Sequence, residues 1–247
     1  MLTFDGVTVS YGKRVVLDDI SFGVPTGGIT VLLGQNGVGK STLLRCVNGL
    51  CPYTGTILLG DTALSGMPAR EKARQIGILP QALPSTPFPV QTLVELGRNP
   101  YVGVGGRLSP QDRTQVARAI EYTHVRPFLD RSVDTLSGGE RCRVFLAMLV
   151  AQDPAVFLLD EPFAALDAPS RRQFYALLRV LADMEDKTLL VILHDLTEAM
   201  EIADHVVILE RGCVAFAGSR DDCLRTTIIE DTFGVHRFTS GNMLFFR

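Results

Sequence analysis

Three five-residue runs, at 29–33, 155–159 and 189–193, are apolar apart from one threonine, and the first is bounded by glycines. Runs this short, without polar alternation, are the pattern of strands buried on both faces of a parallel sheet. The two later runs are each followed by polar residues and then a helical pattern, so strand and helix alternate and the expected class is α/β. The beginning of the chain differs. Residues 2–10 alternate partly, 14–17 and 20–22 follow, and Tyr11-Gly12-Lys13 reads as the turn of an antiparallel pair. Between 90 and 134 the pattern is helical, with a Gly/Pro/Asn-rich connector at 97–106 and no buried-strand run. Inside it, Ser109-Pro110-Gln111-Asp112 supplies a capping serine, a proline at the first helical position and an early acid. That spacing predicts a helix from there to about Tyr122. The chain therefore reads as one domain of 247 residues, with a core of 1–89 and 135–247 and an inserted helical subdomain at about 90–134.

Composition removes several classes of function. A net charge of -3, from 24 Lys+Arg against 27 Asp+Glu, leaves no basic excess to hold a nucleic-acid backbone. Tryptophan is absent and aromatics make up 7%, too few for a base-stacking platform, so no nucleic-acid partner is expected. The longest apolar stretch, 144–151, falls short of the roughly 20 residues a membrane span needs. The start has no basic segment followed by an apolar one, and a cytosolic chain is expected. Cys46, Cys51, Cys142, Cys213 and Cys223 are odd in number and form no C-x-x-C pair, which argues for reduced thiols, mostly in the core.

Chemistry concentrates in three places. Gly34-Gln35-Asn36-Gly37-Val38-Gly39-Lys40-Ser41 matches G-x-x-x-x-G-K-[ST], directly after a buried-strand run and before a helical stretch at 42–48. Glycines let backbone N–H groups converge on phosphate oxygens at a helix start, Lys40 supplies charge, and the Ser41 hydroxyl suits Mg²⁺. The run at 155–159 ends in Asp160 and Glu161, at the sheet edge where α/β proteins bind ligands. There Asp160 suits Mg²⁺ and Glu161 suits a water to be deprotonated; the alternative is a strand-end acid that caps the next turn. Leu136-Ser137-Gly138-Gly139-Glu140 is a second glycine-rich helix start. Its Ser-x-x-Glu spacing is also a capping box.

The segment from Leu136 to Glu140, lying ahead of Asp160-Glu161 and after the phosphate loop, resembles the signature of ABC-type ATPases. Other positions then match that family in order. Tyr11 resembles the aromatic that stacks on adenine, Gln81 after Ile78-Leu79-Pro80 the Q-loop glutamine, Ala165-Leu166-Asp167 the D-loop, and His194 the switch histidine that contacts the γ-phosphate. Read singly, Tyr11 is a turn residue, Gln81 a loop amide and His194 a neighbour of a helix cap. The resemblance covers about 2–218. It implies a nucleotide site of Tyr11, residues 34–42 including Thr42, Ser137, Gly138, Gly139, Glu140 and Asp167. Glu161, His194 and Gln81 would be catalytic, with Ser41, Gln81 and Asp160 on Mg²⁺. Two positions depart from the family pattern: Glu140, usually glutamine, and Phe163, frequently Thr or Ser.

The resemblance also implies a working arrangement. One phosphate loop and one signature cannot close a site alone, so two copies are expected to meet head to tail around ATP. A separate membrane permease is expected to dock near Gln81 and on 90–108, with Glu95 and Arg98 on that surface. The stretch 93–101, with Ser109-Pro110-Gln111-Asp112 after it, resembles uptake ATPases for iron-siderophore complexes, haem and cobalamin. That implies a peripheral subunit on the cytoplasmic face of the inner membrane, served indirectly by a substrate-binding protein. Import of another small solute and a soluble ABC ATPase in translation or DNA repair are the alternatives.

Overall fold

A computed structural model describes residues 1–103, 105–162, 166–240 and 243–247. In chain order it begins with β1 (Leu2–Tyr11), β2 (Arg14–Val24), β3 (Gly28–Gly34), α1 (Lys40–Val47), β4 (Thr54–Leu59) and β5 (Thr62–Ala63). Next come α2 (Ala69–Gln75), β6 (Ile76–Leu79), α3 (Val90–Leu96), α4 (Pro110–Thr123), α5 (Gly138–Gln152), β7 (Val156–Asp160) and α6 (Ala168–Glu185). Then follow β8 (Thr188–Ile192), α7 (Leu196–Ile202), β9 (His205–Glu210), β10 (Cys213–Ser219), α8 (Arg220–Leu224), α9 (Ile228–Phe233), β11 (Arg237–Ser240) and β12 (Met243–Phe246). All three apolar runs are strands, displaced by at most one residue from their expected bounds. Among the described residues no helix is long and apolar enough to cross a membrane.

The chain divides into two compact units, Met1–Met67 with Glu185–Arg247, and Pro68–Met184. In the first, an antiparallel sheet has the order β2-β1-β4-β5. Alternation along β1 buries Leu2, Phe4, Val7 and Val9, and Phe4 stacks on its cross-strand partner Phe22 with ring centroids 4.6 Å apart. Tyr11 pairs with Arg14, so it ends β1 and the turn is the two residues Gly12 and Lys13, tighter than the expected three. A second layer holds β10, β9, β3 and β8 side by side in that order. Strand β3 runs parallel to β8 and β9, and all seven of its residues are buried, as its unbroken apolar pattern requires. Of the five cysteines, four are buried and Cys213 is exposed; all are free thiols.

In the second unit β6 and β7 pair in parallel, from Ile76 with Val156 to Leu79 with Leu159. The chain between β6 and α3 has no helix, and its prolines Pro84, Pro87 and Pro89 account for that. Its far end is zipped to the segment before α5: Val133 N–H donates to Phe88 O (3.0 Å), Asp134 N–H to Thr86 O (3.1 Å) and Val90 N–H to Arg131 O (3.0 Å). Helices α3 and α4 pack on α5. Gly97, just past α3, lies so near α5 that a Cβ there would collide with the carbonyl of Met148. The other end of α5 is fixed by Gln152, whose Nε2 donates to Ala73 O (2.6 Å) and Ile76 O (3.1 Å).

Helix α4 begins as its sequence predicts, with a complete capping box: Asp112 N–H donates to Ser109 Oγ (3.1 Å) and Ser109 N–H to Asp112 Oδ2 (2.9 Å). Arg98 departs from expectation. It is 4% exposed rather than at the surface, its Nε donating to Asp112 Oδ1 at 2.9 Å and its Nη1 to Ala151 O at 2.8 Å. Its guanidinium also lies over the Tyr101 ring, 3.8 Å from the centroid. The connector needs an internal cation to tie it to two helices, and hydropathy alone cannot distinguish that from a solvated arginine.

Candidate functional site

In the first unit the loop between β3 and α1 wraps its own lysine. Lys40 is buried, and its Nζ donates to Gly34 O (2.6 Å) and Gln35 O (3.2 Å). Gly39 precedes α1 at φ +113°, a conformation L side chains avoid, and a Cβ there would stand 2.5 Å from Leu17 Cδ2. Gly39 supplies no side-chain cap, so the helix start presents backbone N–H groups beside an ammonium. Such a start binds anions. Gln35, Asn36 and Gly37 are exposed at the mouth, with Val38, Ser41 and Thr42 partly so. Gln35 itself turns aside, its Nε2 donating to Thr232 O at 3.1 Å. These donors fit a phosphate group.

Tyr11 is half exposed at the end of β1, its hydroxyl 3.3 Å from Cys51 Sγ, a contact that raises the phenol pKa. His194 follows β8 and is exposed. It directly precedes Asp195, which caps α7 by accepting from Glu198 N–H (2.9 Å), so the cap-neighbour reading is literally correct.

In the second unit the parallel register brings two candidates together. Gln81 lies two residues beyond β6 and Glu161 one beyond β7, and Gln81 Nε2 donates to Glu161 Oε2 at 2.5 Å. Asp160 is buried at the end of β7. Glu161 has φ +50°, an unfavourable conformation for a residue with a Cβ, and such strain clusters at functional sites. Within this unit Asp160 and the Gln81 side chain carry oxygen atoms, the donor type that Mg²⁺ prefers.

Ser137 caps α5 with both bonds of the box: Glu140 N–H donates to Ser137 Oγ (3.3 Å) and Ser137 N–H to Glu140 Oε2 (2.8 Å). The Ser137 backbone N–H, then its hydroxyl and Arg131, hold the Glu140 carboxyl below its usual range. Arg131 Nη1 donates to Glu140 Oε1 at 2.9 Å. Sequence reasoning passes over Arg131, since a contact across an irregular turn has no spacing rule. Asp167 Oδ1 accepts from Ser170 N–H (3.0 Å) at the start of α6, and Ser170 lowers its pKa. Ala165 and Phe163, named above, lie outside the described residues.

The ABC transporter family profile matches residues 17–164. The chain belongs to the ABC transporter family. The petrobactin import ATP-binding protein of Bacillus anthracis is 37% identical over 97% of this chain and 88% of its own length. The hemin import ATP-binding protein of Rhodococcus jostii is 39% identical over 94% of this chain and 80% of its own length. A dimeric ATP-binding cassette, solved in a post-hydrolysis state with ADP and Pi, superposes with a TM-score of 0.79 at 25% identity, covering 89% of this chain and 99% of that one. In this ABC ATPase residues 34–41 lie at the junction of β3 and α1, and residues 137–140 at the start of α5.

Proposed function

We propose that this ABC ATPase powers import of an iron chelate, haem or cobalamin through a separate membrane permease, working as a head-to-tail pair of copies on the cytoplasmic face of the inner membrane. The observation that carries the reading is that one chain holds one phosphate loop and one signature start, in a sequence similar over nearly its whole length to import subunits. An external substrate-binding protein delivers the cargo. The helical subdomain at 90–134 and the segment after Gln81 receive the permease.

The residues divide the chemistry. Amides of 34–42 and Lys40 hold the β- and γ-phosphates, Tyr11 lies on adenine, and His194 holds the γ-phosphate. Ser137, Gly138, Gly139 and Glu140, with Asp167, face the nucleotide of the other copy. Ser41, Asp160 and Gln81 would hold Mg²⁺, which would neutralise phosphate charge. Glu161 accepts the proton of the attacking water. Its Oε2 accepts from the Gln81 amide in the structure, which ties the base to the segment that follows Gln81. Movement of the segment after Gln81 thereby links permease to turnover.

Glu161→Gln tests this. With ATP and Mg²⁺ the variant is expected to bind nucleotide, lose hydrolysis and form a stable dimer by light scattering. A monomer at high protein concentration overturns the role of Glu161 or the paired arrangement. Vesicles holding the permease then separate the cargoes by ATP-driven uptake of each.

A further inference from the structure

A carboxylate at the start of a phosphate-facing helix is electrostatically misplaced. The N-terminus of α5 carries roughly half a positive charge, and one full negative charge from Glu140 outweighs it. Glu140 shares its two oxygens between the Ser137 N–H and Arg131. Arg131 is held in place on several sides. Its Nη2 donates to Thr135 O (3.1 Å), and its guanidinium lies 5.6 Å from the Phe128 ring centroid. Its backbone N–H donates to Phe128 O (2.9 Å) and its carbonyl accepts from Val90 N–H (3.0 Å). The pair is 42% and 26% exposed at its side chains, so it adds little to folding stability. A fixed arginine of small stabilising value at an anion-binding helix start has an electrostatic use.

We propose that Arg131 is a positioning residue for ATP: it neutralises Glu140 and holds it in the cap, so that the start of α5 attracts the phosphates bound by a second copy of this chain. The proposal rests on the reading of Ser137–Glu140 as a phosphate contact. With Arg131 in place the net charge at the helix start is positive; without it the sign reverses.

The experiment uses the full chain carrying Glu161→Gln, with ATP and Mg²⁺, and measures the dimer dissociation constant by sedimentation. Arg131→Ala is expected to weaken the dimer about tenfold, equivalent to about 1.4 kcal/mol. Arg131→Lys is expected to stay within about threefold of the parent. Glu140→Gln, which keeps a capping amide, is expected to tighten the dimer, and Arg131→Ala with Glu140→Gln to return it to about the parent value. Melting temperature without nucleotide is expected to differ little among the variants. A dimer indifferent to Arg131→Ala overturns the proposal alone. So does a double variant as weak as Arg131→Ala, because that is the mark of a structural role. A parent that does not dimerise with ATP overturns the proposal together with the reading beneath it.

Discussion

Replacing Arg98 by methionine keeps most of the side-chain length and removes the charge that joins the connector at 97–106 to α4 and α5. The arginine and Asp112 side chains are only 5% and 10% exposed, so the carboxylate left behind stays in a dry site. Removing one partner of a buried pair costs about 3–5 kcal/mol, and the Ala151 carbonyl, which loses its 2.8 Å donor, adds about 1 kcal/mol or more. We therefore expect a loss of at least about 4 kcal/mol in urea denaturation followed by circular dichroism. The double change Arg98→Met with Asp112→Asn leaves no unpaired charge and is expected to recover about half of it. Acid adds a second check. The Ser109 hydroxyl, its backbone N–H and Arg98 depress the pKa of Asp112 in the folded chain. The stabilisation is thus present above the unfolded carboxyl value of about 4, and is lost as pH falls through the lower folded one. The Arg98→Met chain should lose less stability over that interval than the parent. A cost below about 1 kcal/mol, the range of exposed pairs, refutes the argument, as does strict additivity of the two changes.

Two further outcomes follow from single positions. Gly39→Ala forces a side chain into φ +113° and against Leu17, so we expect a loss of about 2–3 kcal/mol in stability and at least about tenfold weaker binding of a fluorescent ATP analogue. Unchanged binding would show that the loop reaches nucleotide in another backbone form. Ellman's reagent should titrate one thiol quickly in the native chain, the exposed Cys213, and all five in denaturant. Burial pushes Cys46 and Cys142 up to about 12 and Cys223 to about 11; rapid reaction of any of these three at neutral pH contradicts that.

Elements whose pattern is local were legible in the sequence. Strands β3, β7 and β8 are unbroken apolar runs, and α4 and α5 begin at Ser-x-x-acid boxes that form both bonds in the structure. The turn between β3 and α1 was equally plain, because Gly34, Gly37 and Gly39 take positive φ there. Contacts between distant segments were not legible. Arg98 looked like a surface residue because nothing near it in sequence announces Asp112 fourteen residues on. Arg131 was silent for the same reason. The bond between Gln81 and Glu161 joins residues eighty apart, and only the β6–β7 register brings them together.

Helix α5 also behaves as a lever. Its fifteen residues make a rod of about 22 Å, clamped at the Gln152 end and crowded by α3 and α4, with Ser137 at the far tip. Each degree of tilt about the clamped end carries the tip through about 0.4 Å, whereas a phosphate contact tolerates about 0.5 Å before it fails. With Ser137 on phosphate as proposed, a tilt of α5 by about one or two degrees about its Gln152 end is enough to make or break that contact.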